Sequence, residues 1–377
     1  MPTHKRFLPR EGFCADVLLQ LVRRTALNPA LMLPLVLASR CTERGQSLSM
    51  QHPQIARALT VLLGLAVTRA ANAWLSDKMR NNWINDKYDW SKEIVLITGG
   101  AAGIGGAMVQ MLEKKQITVV VLDIQPMSFA TSSRVHHFHC DIRSPERVKA
   151  VAATVRAKIG HPTVVINNAG VYRGKSIVAS EPSDVRFTFD VNTLAPYWVT
   201  KAFLPNMIDR NHGMIVTVSS IAAWLTLPNM VDYGASKAAS MAFSEGLAAE
   251  VSTLYKAPKI RVVSVHPGHT RTALFEGFEQ GAGFFAPSLE PESIAEAVVT
   301  QVLSGRSANV VLPESTAAIA ALRVIPDWYA IRTRARYRSV ATHWRGRQVI
   351  QDVGAPPEDM NGSGKETSES TVMVSEP

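Results

Sequence analysis

Residues 94–108 read IVLITGGAAGIGGAM, and this stretch decides the fold. An apolar run over 94–97 ends at Thr98. Gly99, Gly103 and Gly105 follow, and Ile104 begins an amphipathic pattern. A strand that turns on glycines into a helix is what a dinucleotide pyrophosphate needs. Missing side chains let the backbone approach it, and the helix N-terminus supplies N–H donors and a positive dipole. Glycines alone are weak evidence, but their setting strengthens them. A second apolar run, VVVLDI, ends at Asp123, eighteen residues after Gly105. A carboxylate there accepts both adenosine ribose hydroxyls and repels a 2′-phosphate. No Lys or Arg lies in the glycine turn or directly after Asp123. The residues therefore favour NAD, with NADP as the other possibility.

Outward from this point the pattern repeats. Short Val- and Ile-rich runs over 94–97, 118–122, 163–166, 214–218, 260–265 and 309–312 read as strands. Long amphipathic segments lie between them, from Asn192 to about Asp209 and from Tyr233 to about Thr253. Alternating strand and helix implies βαβ units. Short strands apolar on both faces imply a parallel sheet covered by helices. The expected fold is α/β, a Rossmann-like doubly wound sheet over residues 91–313.

The chain has 377 residues, 46% hydrophobic and 19% charged, which excludes disorder throughout. The net charge of +9 is uneven: +6 over 1–90, +6 over 322–348 and −5 over 352–377. The body is nearly neutral, which argues against nucleic acid and leaves an anionic membrane surface for the ends. Three cysteines without a CxxC spacing suit a reducing compartment. His136, His137 and His139 alternate along an expected strand, and no metal site is expected.

A second signal is Tyr233-Gly-Ala-Ser-Lys237. Residues four apart on a helix share a face, so the lysine cation lies near the phenol. A neighbouring cation favours phenolate and lowers the phenol pKa from about 10, fitting it to exchange a proton with an alcohol or carbonyl oxygen. Ser220 stands thirteen residues earlier, just after the strand MIVTVS. Asn192 is read as opening a long helix. INNAG (166–170) ends a strand where a ligand crevice belongs, and Pro267-Gly268 follows a later strand.

With these residues in this order, the chain resembles the short-chain dehydrogenase/reductase family. The resemblance covers about 91–313. It rests on Thr98, Gly99, Gly103, Ile104, Gly105, Asp123, Asp141, Asn167 to Gly170, Asn192, Ser220, Tyr233, Lys237, Pro267 and Gly268. It implies roles. Tyr233 is the general acid/base. Lys237 lowers its pKa and binds the nicotinamide ribose, and Ser220 orients the substrate oxygen. Asn192 holds a water that links Lys237 to solvent. Asp141 meets the adenine, and Asn168, with Ala169 and Gly170, the adenosine-side ribose region. Pro267, Thr270 and Thr272 border the carboxamide, with Thr272 the better match to the family threonine. Stretches from INNAGVYRGKS to the strand before Ser220 are similar to the branch holding retinol, epidermal retinal and 17β-hydroxysteroid dehydrogenases of endoplasmic reticulum and lipid droplets.

The ends complete the reading. Residues 1–90 form an apolar leader. Its stretch over 55–74 has helical spacing but falls short of the roughly 18–20 uninterrupted apolar residues of a clear span, so it reads first as a helix lying in the membrane interface and second as one packed on the body or a partner, with a transmembrane hairpin or a mitochondrial leader left open. Phe275, Phe278, Phe284 and Phe285 suggest a mobile lid over a lipophilic substrate. Residues 314–350 read first as a basic amphipathic helix on a membrane and second as a subunit interface; 351–377 read as a disordered acidic tail. The expected protein is a homodimeric, cytosol-facing membrane enzyme of the endoplasmic reticulum or lipid droplet, or else of the mitochondrion. An NADPH-dependent ketoreductase and a non-catalytic nucleotide-binding membrane scaffold are the alternatives.

Overall fold

A computed structural model describes residues 8–278 and 283–347. The acidic tail, and residues 279–282 of the expected lid, lie outside the described residues.

Seven strands form one parallel sheet in the order β3-β2-β1-β4-β5-β6-β7. They are β1 (Ile94–Thr98), β2 (Thr118–Asp123), β3 (Val135–His139), β4 (Val164–Asn167), β5 (Met214–Val218), β6 (Arg261–Pro267) and β7 (Ala308–Leu312). Central strands buried on both faces explain the unbroken Val and Ile runs. Val95, Ile97, Val119 and Val121 pack under helices α5 (Gly103–Glu113) and α10 (Pro291–Leu303). Leu96, Val120, Val165 and Ile215 pack under α6 (Pro145–Lys158), α8 (Ala195–Arg210) and α9 (Val231–Ala249). The strand order reverses between β1 and β4, and the crevice there opens at the carboxyl ends of the strands.

One local expectation is corrected. Asn192 does not open a helix. Helix α7 (Pro182–Phe189) runs on through a π-helical turn, Asp190–Leu194, directly into α8. Pro196 has no N–H for the fourth carbonyl before it, that of Asn192. Ser240 Oγ donates to that carbonyl instead, at 2.6 Å. The wide turn puts Asn192 in the interior, 2% exposed.

Four helices precede the sheet: α1 (Ala15–Arg24), α2 (Pro29–Cys41), α3 (Glu43–Gln51) and α4 (Pro53–Arg80). The apolar pattern expected over 55–74 belongs to a longer helix. At 1.5 Å per residue the 28 residues of α4 extend for about 42 Å, and α4 is long and apolar enough to cross a membrane. Arg69 lies within it, and its guanidinium donates to the Leu27 carbonyl at 3.1 Å. The end of α4 is clamped to the amino edge of the sheet. Asp77 pairs with Arg306, Asn81 Oδ1 accepts from Ser307 N at 2.9 Å, and Arg261 donates to the Asn81 and Ile84 carbonyls. Helix α1 reaches the opposite side of the body, where the Asp16 carboxylate accepts from Glu314 N and Ser315 N.

The basic C-terminal stretch divides. Helix α11 (Asp327–Arg336) exposes Trp328, Tyr329 and Ile331. Residues 340–347 instead pack on the body, and Val340 and Ala341 are buried. A single surface helix over this region is therefore corrected to a helix followed by a docked segment.

Candidate active site

A 280 Å³ cleft lies at the carboxyl ends of β1, β2, β4, β5 and β6. Gly99, Gly103, Ile104, Gly105, Asp123, Asp141, Asn168, Ala169, Gly170, Ser220, Tyr233, Lys237, Pro267, Thr270 and Thr272 all border it. Asn192 does not border it.

The glycine turn is tied to β4. Thr98 Oγ1 accepts from Asn168 N and Ala169 N at 3.0 and 3.1 Å, and Asn168 Nδ2 donates to the Thr98 and Gly99 carbonyls. Gly99 takes φ +66°, a left-handed backbone that glycine adopts without a Cβ clash. A Cβ at Gly105 would lie 2.0 Å from the Gly99 carbonyl oxygen. This is a cradle shaped by missing side chains, and it fits a dinucleotide. The Asp123 carboxylate stands at the end of β2, held by Ala101 N at 2.9 Å and Gln125 N at 3.1 Å. Arg143, a cation on the same wall, is gripped by both oxygens of Asp141. Its guanidinium lies 4.8 Å from the Phe187 ring centre. Arg143 and Phe187 escaped the sequence reading, because no local spacing marks them.

At the other end, Tyr233 and Lys237 share one face of α9. Both are buried, at 4% exposure each. The lysine Nζ lies 5.7 Å from the phenol ring centre and donates to the Val218 carbonyl at 2.9 Å. Burial pushes the phenol up to about 12, against a smaller lowering by its hydrogen bond to Ser220. Burial also brings the lysine down to about 8. Burial sets the direction of both shifts. The ammonium sits over the ring face, where desolvation of both groups is the larger effect.

Ser219 and Ser220 both border the cleft and have different partners. Ser219 Oγ donates to the Lys237 carbonyl at 2.8 Å and is an anchor for α9. Ser220 faces Tyr233 and accepts from Ala222 N at 3.1 Å. Behind it His266 is buried, stacked on Trp224 at 4.4 Å, with Nδ1 3.4 Å from the Ser220 carbonyl. Burial lowers its pKa to about 4, so it supports Ser220 as a neutral ring. Asn192 Oδ1 accepts from Val171 N, and Nδ2 donates to the Val171 carbonyl and Ser236 Oγ. It pins the β4 loop to α9.

This end of the cleft is aromatic. Phe275 borders the cleft, and its ring centre is 5.8 Å from that of Tyr233. Tyr172, two residues past Gly170, lies 5.4 Å from Tyr233 and was not singled out by the sequence. Arg347, from the C-terminal segment, also borders the cleft. Among the described residues, no three His, Cys, Asp or Glu side chains converge as metal ligands do.

A parallel sheet in this order, with a glycine cradle at its switch point and a Tyr/Lys pair on a facing helix, defines an oxidoreductase fold that binds NAD or NADP. A family model described as short chain dehydrogenase matches residues 93–282, and the chain belongs to that family of enzymes. Its relatives include Dehydrogenase RED2 of Cochliobolus heterostrophus, 40% identical over 208 residues, which span 54% of this chain and 77% of the relative. Human Short-chain dehydrogenase/reductase 3 is 32% identical over 70% of this chain and 86% of its own length. Human Epidermal retinol dehydrogenase 2 is 34% identical over 56% and 71%. Among solved structures, a 3-ketoacyl-(acyl-carrier-protein) reductase from Brucella melitensis, complexed with NADH, superposes with a TM-score of 0.53. It is 23% identical, over 60% of this chain and all of that one.

Proposed function

We propose that this protein is a membrane-attached, NAD-dependent dehydrogenase that interconverts an alcohol and a carbonyl on a lipophilic substrate of retinoid, steroid or long-chain lipid type. The observation that carries the reading is the meeting of the Ser220 and Tyr233 hydroxyls inside a cleft with the glycine cradle at one end and Phe275 at the other. Ser220 and Tyr233 hold the substrate oxygen. Tyr233 takes the hydroxyl proton on oxidation and returns it on reduction. Lys237, one turn away, carries the positive charge that favours the phenolate. The nicotinamide, when bound, supplies the hydride acceptor or donor. Gly99, Gly103, Ile104 and Gly105 bind the pyrophosphate, Asp123 the adenosine ribose and Asp141 the adenine. Asn168, Ala169 and Gly170 line the ribose path, and Pro267, Thr270 and Thr272 the carboxamide side.

The chain is organised as a leader over 1–90, a catalytic domain over 91–313, a basic C-terminal segment over 314–350 and a tail over 351–377. Support for membrane attachment is the surface of the leader: Leu31, Leu33, Leu35 and Leu37 on α2, and Ile55, Val61, Leu65 and Val67 on α4, are exposed. A soluble surface does not usually carry so much contiguous apolar area. We read the location as the cytosolic side of the endoplasmic reticulum or lipid droplet, and the assembly as a homodimer through α8 and α9, where Tyr197 and Val231 are exposed.

The test is to incubate the membrane-bound protein with NAD and lipid extracts and to identify the oxidised product by mass spectrometry. An NAD-dependent apolar ketone or aldehyde is expected. Activity confined to small polar carbonyls with NADPH would refute the reading. The cofactor preference has its own test. In Asp123→Ala the ratio of kcat/KM with NAD to that with NADP should fall about ten- to a hundredfold, the worth of one or two charge-assisted hydrogen bonds. Wild-type preference for NADP, or an unchanged ratio, would remove Asp123 from this role.

A further inference from the structure

The C-terminal segment at the substrate end has no assigned role. Arg345 N donates to the Glu276 carbonyl at 2.9 Å and Arg347 N to the Ala273 carbonyl at 2.8 Å. Between them, Trp344 Nε1 donates to the Leu274 carbonyl at 2.8 Å. Residues 344–347 are thus laced to the loop that carries Phe275. Room for this contact is built in at three glycines. An added Cβ would lie 2.1 Å from the Trp344 ring at Gly174, 2.1 Å from the His343 carbonyl oxygen at Gly277, and 2.2 Å from the Leu274 carbonyl oxygen at Gly346. Gly174 and Gly277 also take positive φ, of +65° and +75°.

The lacing leads to the reactive phenol. The Trp344 ring centre lies 5.0 Å from that of Tyr172, which lies 5.6 Å from Phe275 and 5.4 Å from Tyr233. Tyr172 is fully buried, with its hydroxyl held by the Asn229 carbonyl at 2.8 Å. Trp344 itself does not border the cleft. It backs Tyr172 and, through Leu274, fixes the height of Phe275.

We propose that residues 340–347 complete the substrate chamber, and that Trp344 is a positioning residue that sets its selectivity for flat apolar skeletons, such as fused rings or a conjugated polyene. The proposal rests on the reading of Tyr233 as the acid/base. A rigid aromatic wall favours a planar skeleton through offset or edge-on ring contacts and large buried area. A small alcohol buries little area against that wall, so the wall contributes selectivity rather than chemistry.

The test compares full-length wild type, Trp344→Ala and Trp344→Phe on a series running from propan-2-ol to a steroid alcohol and a polyene alcohol, with saturating NAD. Trp344→Ala should raise KM for the flat substrates about tenfold or more with kcat within about threefold, leave kcat/KM for propan-2-ol within about twofold, and be largely rescued by Phe. An equal loss for every alcohol, or none for any, would overturn the proposal. Hydrogen–deuterium exchange of residues 272–278 without substrate is the second readout. It should quicken in Trp344→Ala, and unchanged exchange would also overturn the proposal. Should the wild type oxidise no alcohol at all, the functional reading fails, and the exchange result alone decides whether Trp344 holds the loop.

Discussion

Tyr233→Phe should lose about a thousandfold or more in kcat/KM while its Kd for NAD stays within about twofold of wild type. The substitution removes one oxygen and keeps the ring. Edge-on contacts to Tyr172 and Phe275, at 5.4 and 5.8 Å, survive. Ser220 keeps its bonds to the Pro267 carbonyl and Ala222 N, so the pocket does not collapse toward the missing hydroxyl. What disappears is the group proposed to accept the alcohol proton. Activity is measured by nicotinamide absorbance, and binding by calorimetry. Full activity in the variant would end the assignment of Tyr233, and loss of NAD binding would mean the change was structural. The pH profile carries the same argument. Burial holds the phenol up at about 12, so the basic form is scarce near neutrality. Oxidation, which needs that form, should quicken as pH rises through the alkaline range. Reduction, which on the same reading needs the phenol protonated, should stay flat over that range and slow only as the pH nears 12.

The parts of this enzyme that were legible in its sequence are those whose physics is local. The strand over 214–218 is found at those residues, because Met214, Ile215, Val216 and Val218, with a buried Thr217, form a short, largely β-branched run between two helical layers. The glycine turn was legible because positive φ and close approach each demand glycine. The Tyr233 and Lys237 pairing followed from helical spacing alone. What stayed hidden depends on partners far along the chain. The π-helical turn at Asp190–Leu194 is held open by Ser240, some fifty residues away. The extent of α4 beyond Trp74 depends on Asp77 meeting Arg306 and on Asn81 meeting Ser307. The upward shift of the phenol was not legible either, because spacing reports the distance to a cation but not the water lost when both groups are buried. Trp344 looked like a membrane anchor, since nothing near it in sequence announces Gly174 or Leu274.

The glycine cradle yields the other large effect. Gly105→Ala should abolish measurable NAD binding and destabilise the fold by about 3 kcal/mol or more, toward the upper end of overpacking costs. The new methyl would stand 2.0 Å from the Gly99 oxygen, 2.9 Å from its carbonyl carbon and 2.7 Å from Asn168 Nδ2. Two of these three atoms are backbone, and neither can swing aside as a flexible side chain would. If the Gly99 carbonyl retreats, the Asn168 amide loses its acceptor at 3.0 Å, and the joint between β1 and β4 loosens at the proposed pyrophosphate site. The control is Gly103→Ala. There the nearest atom to an added methyl is Thr272 Cγ2 at 3.9 Å, and the cost is mainly that of placing alanine at φ +57°. That strain is worth about 1–2 kcal/mol. Thermal unfolding of both variants and titration with NAD therefore separate a clash from a strained backbone: Gly105→Ala should melt several degrees below Gly103→Ala. Equal melting temperatures, or wild-type NAD affinity in Gly105→Ala, would mean that the turn can shift to accept a side chain and that its glycines do not shape the dinucleotide site.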